Sequence, residues 1–459
     1  MLDVTRIVVV GGGPGGYEAA LVAARLGARV TVVDRDGLGG SAVLTDCVPS
    51  KTLIASADAA GAASASGLGV ALSDPRVDLG RVNARVLELA GQQSADIATR
   101  LGAAGVRVIR GLGRLDGPSA VVATVADGSF ERLAADAILI ATGAHPRVLA
   151  EAPPDGERIL TWTQVYGLTE LPEHLIVVGS GVTGAEFADA YHRLGARVTL
   201  VSSRDRVLPG EDADAAAVLE GAFTRRGMTV LSRSRAAAVR RVGEGVEVSL
   251  TDGRVVGGSH CLMAVGSVPN TADLGLAEAG VALSQNGFIE VDRVSRTSAR
   301  GVYAAGDCTG VLMLASVAAH QGRIAMQHVL GDAVRPLDLH TVAANVFTDP
   351  EIATVGWTQD AVERHDLPAR TVTLPLATNP RAKMQGLHDG FVKLYCRPGT
   401  GIVVGGVVVA PRASELIFPI SLAVDAQLSV DVISHAFTVY PSMSGSVAEA
   451  ARLLHLPPD

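Results

Sequence analysis

Gly11-Gly12-Gly13-Pro14-Gly15-Gly16 follows the β-branched run Thr5-Arg6-Ile7-Val8-Val9-Val10 and opens an Ala-rich stretch, Tyr17 to Leu26, that Gly27 ends. The run reads as a buried parallel strand, the stretch as a helix, and residues 29–33 as a second strand with Asp34 at its end. Gly11, Gly13 and Gly16 form G-x-G-x-x-G, and Asp34 lies 23 residues after Gly11. Glycines so placed let the backbone approach a pyrophosphate at a helix N-terminus, and a carboxylate at the strand end can accept from a ribose hydroxyl. A lone G-x-G-x-x-G is a weak signal. With strand, helix and acid in register, it reads as a dinucleotide-binding βαβ unit.

A second such unit follows. Leu175 to Val178 is its strand, Gly179-Ser180-Gly181-Val182-Thr183-Gly184-Ala185-Glu186 its turn, a helix runs to about Leu194, and Val198 to Val201 is the next strand. Two units in one chain are far more specific than one. They imply two dinucleotides, or one domain type used twice. The offset that leads from Gly11 to Asp34 leads from Gly179 to Ser202, within Ser202-Ser203-Arg204-Asp205-Arg206. With no acid ending that strand, a 2′-phosphate is not repelled, and Arg204 and Arg206 can pair with it. This favours NADPH and leaves NADH compatible, since Asp205 partly offsets the two arginines.

Helices are expected over 50–64 and 83–104, and a β-rich patch over 106–141, ending in Ala141-Thr142-Gly143-Ala144-His145-Pro146. Residues 246–263 are β-rich and lead to Ala264-Val265-Gly266-Ser267-Val268-Pro269-Asn270. Gly301-Val302-Tyr303-Ala304-Ala305-Gly306-Asp307 reads as a strand ending in Gly-Asp, with Ala315 just ahead of a helix expected over Ser316 to Leu330. Strands at 391–397 and 402–410, joined by a Pro-Gly-Thr-Gly turn, precede helices at about 413–426 and 429–435.

With 459 residues, 48% of them hydrophobic and 19% charged, the chain is long and apolar enough for several cores. A net charge of −8 argues against nonspecific nucleic-acid binding. No basic n-region with an apolar core opens the sequence, and no apolar run is long enough to span a bilayer. Cys47, Cys261, Cys308 and Cys396 are widely scattered. The pattern fits a reduced cytoplasmic protein with neither a disulfide framework nor a metal site. Lysine occurs only as Lys51, Lys383 and Lys393.

Between the two units lies Gly39-Gly40-Ser41-Ala42-Val43-Leu44-Thr45-Asp46-Cys47-Val48-Pro49-Ser50-Lys51. It resembles the redox-active helix of the flavoprotein disulfide reductases (class I pyridine nucleotide-disulfide oxidoreductases), the family of lipoamide dehydrogenase and glutathione reductase. That family carries Gly-Gly-Thr-Cys-x-x-x-x-Cys-x-Pro-Ser-Lys here. The Ala-Thr-Gly-x-x-Pro, Gly-x-x-Pro-Asn and Gly-Asp motifs, and Phe347-Thr348-Asp349-Pro350-Glu351-Ile352-Ala353-Thr354-Val355-Gly356, resemble its remaining landmarks in order, closest to the lipoamide dehydrogenase branch. The resemblance implies an α/β fold: two Rossmann-like dinucleotide-binding domains, for FAD and NAD(P), and an α+β C-terminal dimerisation domain. The expected division is 1–155 and 273–340 for the FAD-binding and central parts, 156–272 for NAD(P), and 341–459 for dimerisation. It further implies FAD at Gly11, Gly13, Gly16, Asp34, Gly40, Ser41, Thr142, Gly143, Gly306, Asp307 and Ala315. Gly179, Gly181, Gly184 and Gly266 would serve the nicotinamide nucleotide, and Lys51 and Glu186 would form an ion pair beside the flavin ring.

The resemblance breaks at three matched positions. A disulfide needs two sulfurs about 2 Å apart, but Ala42 replaces the first cysteine and leaves Cys47 alone. In Tyr440-Pro441-Ser442-Met443-Ser444-Gly445 the family has His-Pro-Thr-x-x-Glu, whose His is the acid-base for the dithiol, oriented by the Glu. Tyr440 and Gly445 stand there instead, and His435 does not align. The parts needed to reduce a flavin are present and the parts needed for disulfide exchange are gone. Cys47 can stack under the flavin or sense oxidants, although a lone buried thiol is usually inert; Tyr440 is the candidate at the His position. The reading is a homodimeric FAD enzyme, similar to the NAD(P)H:quinone reductase members of this family, that takes hydride from NADPH or NADH and passes it to a quinone or similar diffusible acceptor. The alternatives are a soluble pyridine nucleotide transhydrogenase and a non-catalytic flavin redox sensor.

Overall fold

The computed structural model describes residues 4–64, 76–364 and 367–455. The chain forms two compact units, one from Met1–Thr52, Arg81–Arg147 and Gly266–Asp338, the other from Leu53–Gly80, Val148–Val265 and Leu339–Asp459.

The first unit is built on a five-stranded parallel sheet in the order Val302–Ala304, Ala137–Ile140, Arg6–Val10, Arg29–Asp34, Arg107–Arg110. The unbroken apolar run of the first strand follows from burial of both sheet faces. Side chains alternate across a strand. Ile7 and Val9 enter a core with Ala19, Ala20 and Ala23 of the helix Pro14–Arg25. Val8 and Val10 enter the opposite core with Leu115, Val121 and Ala123. That second face is covered by the antiparallel strands Leu112–Leu115, Ala120–Thr124 and Phe130–Ala134, which account for the β-rich patch.

The second unit repeats the plan. Its parallel sheet runs Thr229–Leu231, Arg197–Val201, His174–Val178, His260–Met263, Ile159–Thr161. Ile176 and Val178 share a core with Val239, Val246 and Val248 of another antiparallel three-stranded sheet, and the helix Val182–Arg193 makes the crossover between the first two strands of the βαβ unit. The C-terminal part is a five-stranded antiparallel sheet in the order Ala343–Val346, Glu351–Gly356, Val403–Ala410, Phe391–Cys396, Arg370–Pro375. Its core joins Val392, Leu394 and Val408 to Ile420 and Ala423 of the helix Phe418–Asp425 and to Val447 and Ala451 of the helix Gly445–Leu454.

Local differences from the sequence reading have physical causes. The helix expected over 413–426 is two, Ala413–Leu416 and Phe418–Asp425, because Pro419 has no N–H to continue a ladder and sits in the first turn of the second. The stretch from Gly40 to Lys51 is also broken, into Gly40–Leu44 and Cys47–Ser64, with Pro49 in the opening turn of the second. The helix Ala213–Arg225 begins with a sequence-readable cap: Asp212 is its N-cap, accepting from the N–H groups of Asp214 and Ala215 at 3.0 Å each.

The same Asp212 anchors a buried cation. Lys393, 2% exposed on the strand Phe391–Cys396, donates through Nζ to Asp212 Oδ1 and Oδ2 at 3.0 and 2.8 Å and to Asp214 Oδ2 at 2.6 Å. The hydroxyl of Tyr395 donates to Asp212 Oδ2 at 3.3 Å. One of three lysines in the chain therefore ties the C-terminal sheet to a helix cap. Removing one partner of a buried pair leaves the other uncompensated, at a cost of about 3–5 kcal/mol. Lys393→Met is expected to lower the apparent Tm by on the order of 10 °C, read by far-ultraviolet circular dichroism; an unchanged melt would show that the cluster contributes no net stability.

Candidate active site

The two glycine turns are built alike. A Cβ on Gly16 would stand 1.9 Å from the carbonyl oxygen of Gly11, and a Cβ on Gly184 1.8 Å from that of Gly179. Real Cβ atoms do not come so close, so both helices start directly against their strands only because these residues are glycine. The middle positions are different: a Cβ on Gly13 meets nothing nearer than Gly40 Cα at 3.9 Å, and one on Gly181 meets nothing within 4 Å. Open glycines at helix N-termini, where N–H groups lack helical acceptors, suit an anionic pyrophosphate. The residues in each unit thus fit a dinucleotide.

In the first unit Asp34 accepts from the N–H groups of Gly12 at 2.7 Å and Gly37 at 2.5 Å. An ionised carboxylate has about four acceptor sites, so these bonds fix Asp34 and leave capacity for a ribose hydroxyl. Beside it lies a cavity of about 370 Å³ lined by Asp34, Gly37, Leu38, Ser94 and Arg110, a size for a nucleoside. The Gly39-Gly40 loop closes over the turn, Gly39 N–H donating to Gly12 O at 2.8 Å, and Ser41 stands exposed beside it.

Two motifs far apart in sequence interlock in this unit. Thr142 Oγ1 donates to Asn270 O at 2.7 Å, Asn270 Nδ2 donates to Thr142 O at 2.8 Å, and Asn270 N–H donates to Gly143 O at 2.9 Å. The adjoining segments Ala144–Pro146 and Ser267–Pro269 pair antiparallel, and Gly266 O accepts from Arg147 N–H. Asp307 is mostly buried in the turn after the strand Val302–Ala304; Gly306 N–H is held by Gln321 Oε1 at 2.9 Å, and Ala315 opens the helix Ala315–Val329. Burial, reinforced by Asp46, pushes the Asp307 carboxyl up to about 6. Cys47 is the first residue of its helix and half-buried, and Lys51 is half-buried one turn on. None of the four cysteines, all of them among the described residues, stands in a disulfide.

In the second unit Ser202 is buried where the acid of the first unit stands. Its Oγ lies 2.7 Å from Ser180 Oγ and accepts from Arg204 N–H at 3.1 Å. The two arginines separate. Arg204 is exposed, whereas Arg206 Nη2 donates to the carbonyls of Pro209 and Glu211 at 3.3 and 3.2 Å and so braces its own loop. The structure adds Arg233, whose N–H donates to Arg204 O at 2.6 Å and whose side chain is exposed. No spacing rule pointed to it, because the next parallel strand brings it there. Glu186 is 3% exposed on the helix Val182–Arg193, and its Oε1 accepts from Phe347 N–H at 2.8 Å. Tyr440 is 82% exposed at the end of the run Phe437–Tyr440, and His435 bonds the carbonyl of Asp431 within its own helix. Gly445 N–H donates to Ser442 Oγ and opens the last helix.

Comparison with known proteins gives the class. Residues 5–322 match the family model for pyridine nucleotide-disulphide oxidoreductases, and residues 342–451 match the dimerisation domain of that family. The chain belongs to the pyridine nucleotide-disulphide oxidoreductase family. Among its relatives is a protein named NAD(P)H dehydrogenase (quinone) from Mycobacterium tuberculosis, 56% identical, with 98% of this chain and 94% of that one covered. The crystal structure of LpdA from the same organism superposes with a TM-score of 0.95 at 56% identity, covering 99% of this chain and 100% of that one. A dihydrolipoyl dehydrogenase of Zymomonas mobilis is 34% identical, with 99% and 100% covered. Among the described residues, no helix is long and apolar enough to cross a membrane.

The raised Asp307 carboxyl gives a pH test. Its folded value, about 6, lies above the ordinary 3.8, so between those values the folded apoprotein binds a proton that the unfolded chain does not. Stability from this group is full below about pH 4, falls by up to ~1.4 kcal/mol per pH unit as pH rises to about 6, and is flat above. Asp307→Asn is expected to remove that share of the slope in urea unfolding of the apoprotein. Parallel wild-type and variant curves from pH 4 to 6.5 would contradict it.

Proposed function

We propose that the protein is a FAD-dependent NAD(P)H:quinone oxidoreductase without disulfide reductase activity. The observation that carries this is Cys47 standing with Ala42 where a dithiol would need a second sulfur, in a chain with both nucleotide turns whole. The relative named as a quinone dehydrogenase supports the acceptor class. FAD, when bound, supplies a two-electron carrier between a nicotinamide and an acceptor. Quinones are flat and electrophilic, and they need no acid-base dyad of the kind a dithiol requires.

In this reading Gly11, Gly13, Gly16, Gly40 and Ser41 receive the FAD pyrophosphate, Asp34 its adenosine ribose, and Asp307 its ribitol and phosphate region. Thr142 and Gly143 shape the edge of that site, and the helix beginning at Ala315 presents free N–H groups toward it. Gly179, Gly181 and Gly184 receive the nicotinamide nucleotide, with Gly266 at the exit of the second βαβ unit. Arg204, joined by Arg233, pairs with a 2′-phosphate, which favours NADPH over NADH; Arg206 acts by holding the loop. Lys51 supplies the positive charge that favours the reduced, anionic ring, and Glu186 orients the nicotinamide. Cys47 has a packing role. The exposed apolar run Phe437–Tyr440, within the matched dimerisation domain, is the surface a homodimer would cover. The four-segment division at 155, 272 and 340 remains part of this reading.

Steady-state assays with a naphthoquinone, a thio-nicotinamide nucleotide and lipoamide test the acceptor. Quinone turnover well above both others is expected. Lipoamide turnover at a comparable rate would overturn the mechanism, and a dominant thio-nicotinamide rate would make the protein a transhydrogenase.

Lys51→Met tests the flavin side. FAD binding should be nearly intact, because FAD is held mainly through its diphosphate and riboses. Losing one charge-assisted contact costs about 1.5–3 kcal/mol, so anaerobic flavin bleaching at saturating NADPH should slow roughly tenfold to a hundredfold. An unchanged stopped-flow rate with FAD fully bound would make Lys51 structural.

A further inference from the structure

Glu186 shares its helix face with other charges. Asp189 follows three positions later and Arg193 seven, so the three lie along one stripe of Val182–Arg193. Both carboxylates reach the same short segment, which links the strands Ala343–Val346 and Glu351–Gly356. Phe347 N–H donates to Glu186 Oε1 at 2.8 Å, and Asp349 N–H donates to Asp189 Oδ2 at 2.9 Å. Arg226 grips the segment from the other side. Its Nη1 donates to Asp349 O at 2.7 Å and to Asp189 Oδ1 at 3.3 Å, and its Nη2 pairs with the Asp349 carboxylate. Arg193 Nε lies 2.9 Å from Asp189 Oδ2 and its Nη1 pairs with Asp58.

Asp189 is fully buried, and burial, opposed by Arg193 and Arg226, pushes its carboxyl up to about 6. A buried carboxylate is kept charged in place by the donors it pairs with, and neither glycine turn uses it. What it fixes is the backbone two residues beyond the N–H that Glu186 accepts. With Asp189 removed, Asp349 N–H loses its acceptor, the segment relaxes, and the donor that aims Glu186 moves with it.

We infer that Asp189, backed by Arg226, is a positioning residue for Glu186: it holds Phe347–Asp349 so that the Phe347 N–H fixes the Glu186 carboxylate in the geometry hydride delivery needs. This rests on the reading of Glu186 as the nicotinamide-orienting carboxylate. Small misplacements of such a group cost up to about a hundredfold in rate.

The test is anaerobic stopped-flow reduction of the holoenzyme by NADPH, giving the limiting rate and the nucleotide Kd together. Asp189→Ala is expected to slow the limiting rate about tenfold and to leave Kd within about twofold. Asp189→Asn keeps an acceptor for Asp349 N–H and should recover most of the rate. Because Asp189 acts through Glu186, adding Asp189→Ala to Glu186→Ala should slow reduction no further; in a double-mutant cycle, independent sites multiply instead. Multiplying effects, or no rescue by Asn, would overturn the inference while leaving the role of Glu186 standing. A Glu186→Ala enzyme that reduces at the wild-type rate would overturn both. If Asp189→Ala does not accumulate as holoenzyme, Arg226→Gln, at a side chain one-third exposed, enters the same cycle with the same outcomes.

Discussion

Both units depend on one close approach: a glycine Cα against the carbonyl oxygen of the glycine that follows the preceding strand. At Gly16 and at Gly184 a Cβ would fall inside 2 Å of that oxygen. The contact sets where each helix starts, and thereby where its N–H groups converge. Those groups meet open space at Gly13 and Gly181, which is what an anion requires. The β-branched strands, the small-residue helices packed on them and the antiparallel sheets on the opposite face serve to hold these two turns.

The units differ at the end of the second strand. In the first, Asp34 is pinned by two backbone N–H groups and keeps acceptor capacity beside a nucleoside-sized cavity. In the second, the equivalent serine is buried and bonded by Ser180 and the Arg204 backbone, and the exposed charges nearby are Arg204 and Arg233 with Asp205 between the first and Arg206. One architecture therefore ends its second strand in a carboxylate in one copy and in a buried serine beside exposed arginines in the other.

Buried charge is concentrated in the second unit. Lys393 with Asp212 and Asp214, and Asp189 and Asp349 with Arg193 and Arg226, are ion clusters whose members come from the nucleotide-binding part and the C-terminal part alike. Such clusters are poor sources of net stability but exacting about geometry, because each partner left unpaired in a low dielectric is costly. Glu186 joins this network through Phe347, so its carboxylate is set by a residue within the matched dimerisation domain as well as by its own turn.

The sequence by itself showed both glycine turns and Asp34, local patterns whose chemistry follows from residue type and spacing, while the Gly-Asp of Asp307 and the missing thiol at Ala42 were legible only through the family resemblance. It also carried the order of motifs that identifies the family. Strand and helix positions were legible wherever apolar runs were long, and were misread where a proline divided a helix at Pro419 or where a cap at Asp212 was passed over. Only the tertiary structure decided that Thr142 and Asn270 clasp each other, that Arg233 joins Arg204 while Arg206 turns back to its loop, and that Asp189 and Arg226 grip the segment whose N–H holds Glu186. Apart from the local brace of Arg206, these contacts join residues about 30 to 160 positions apart. Local propensity carries no information at that separation; parallel-strand register and the packing of buried charges supply it.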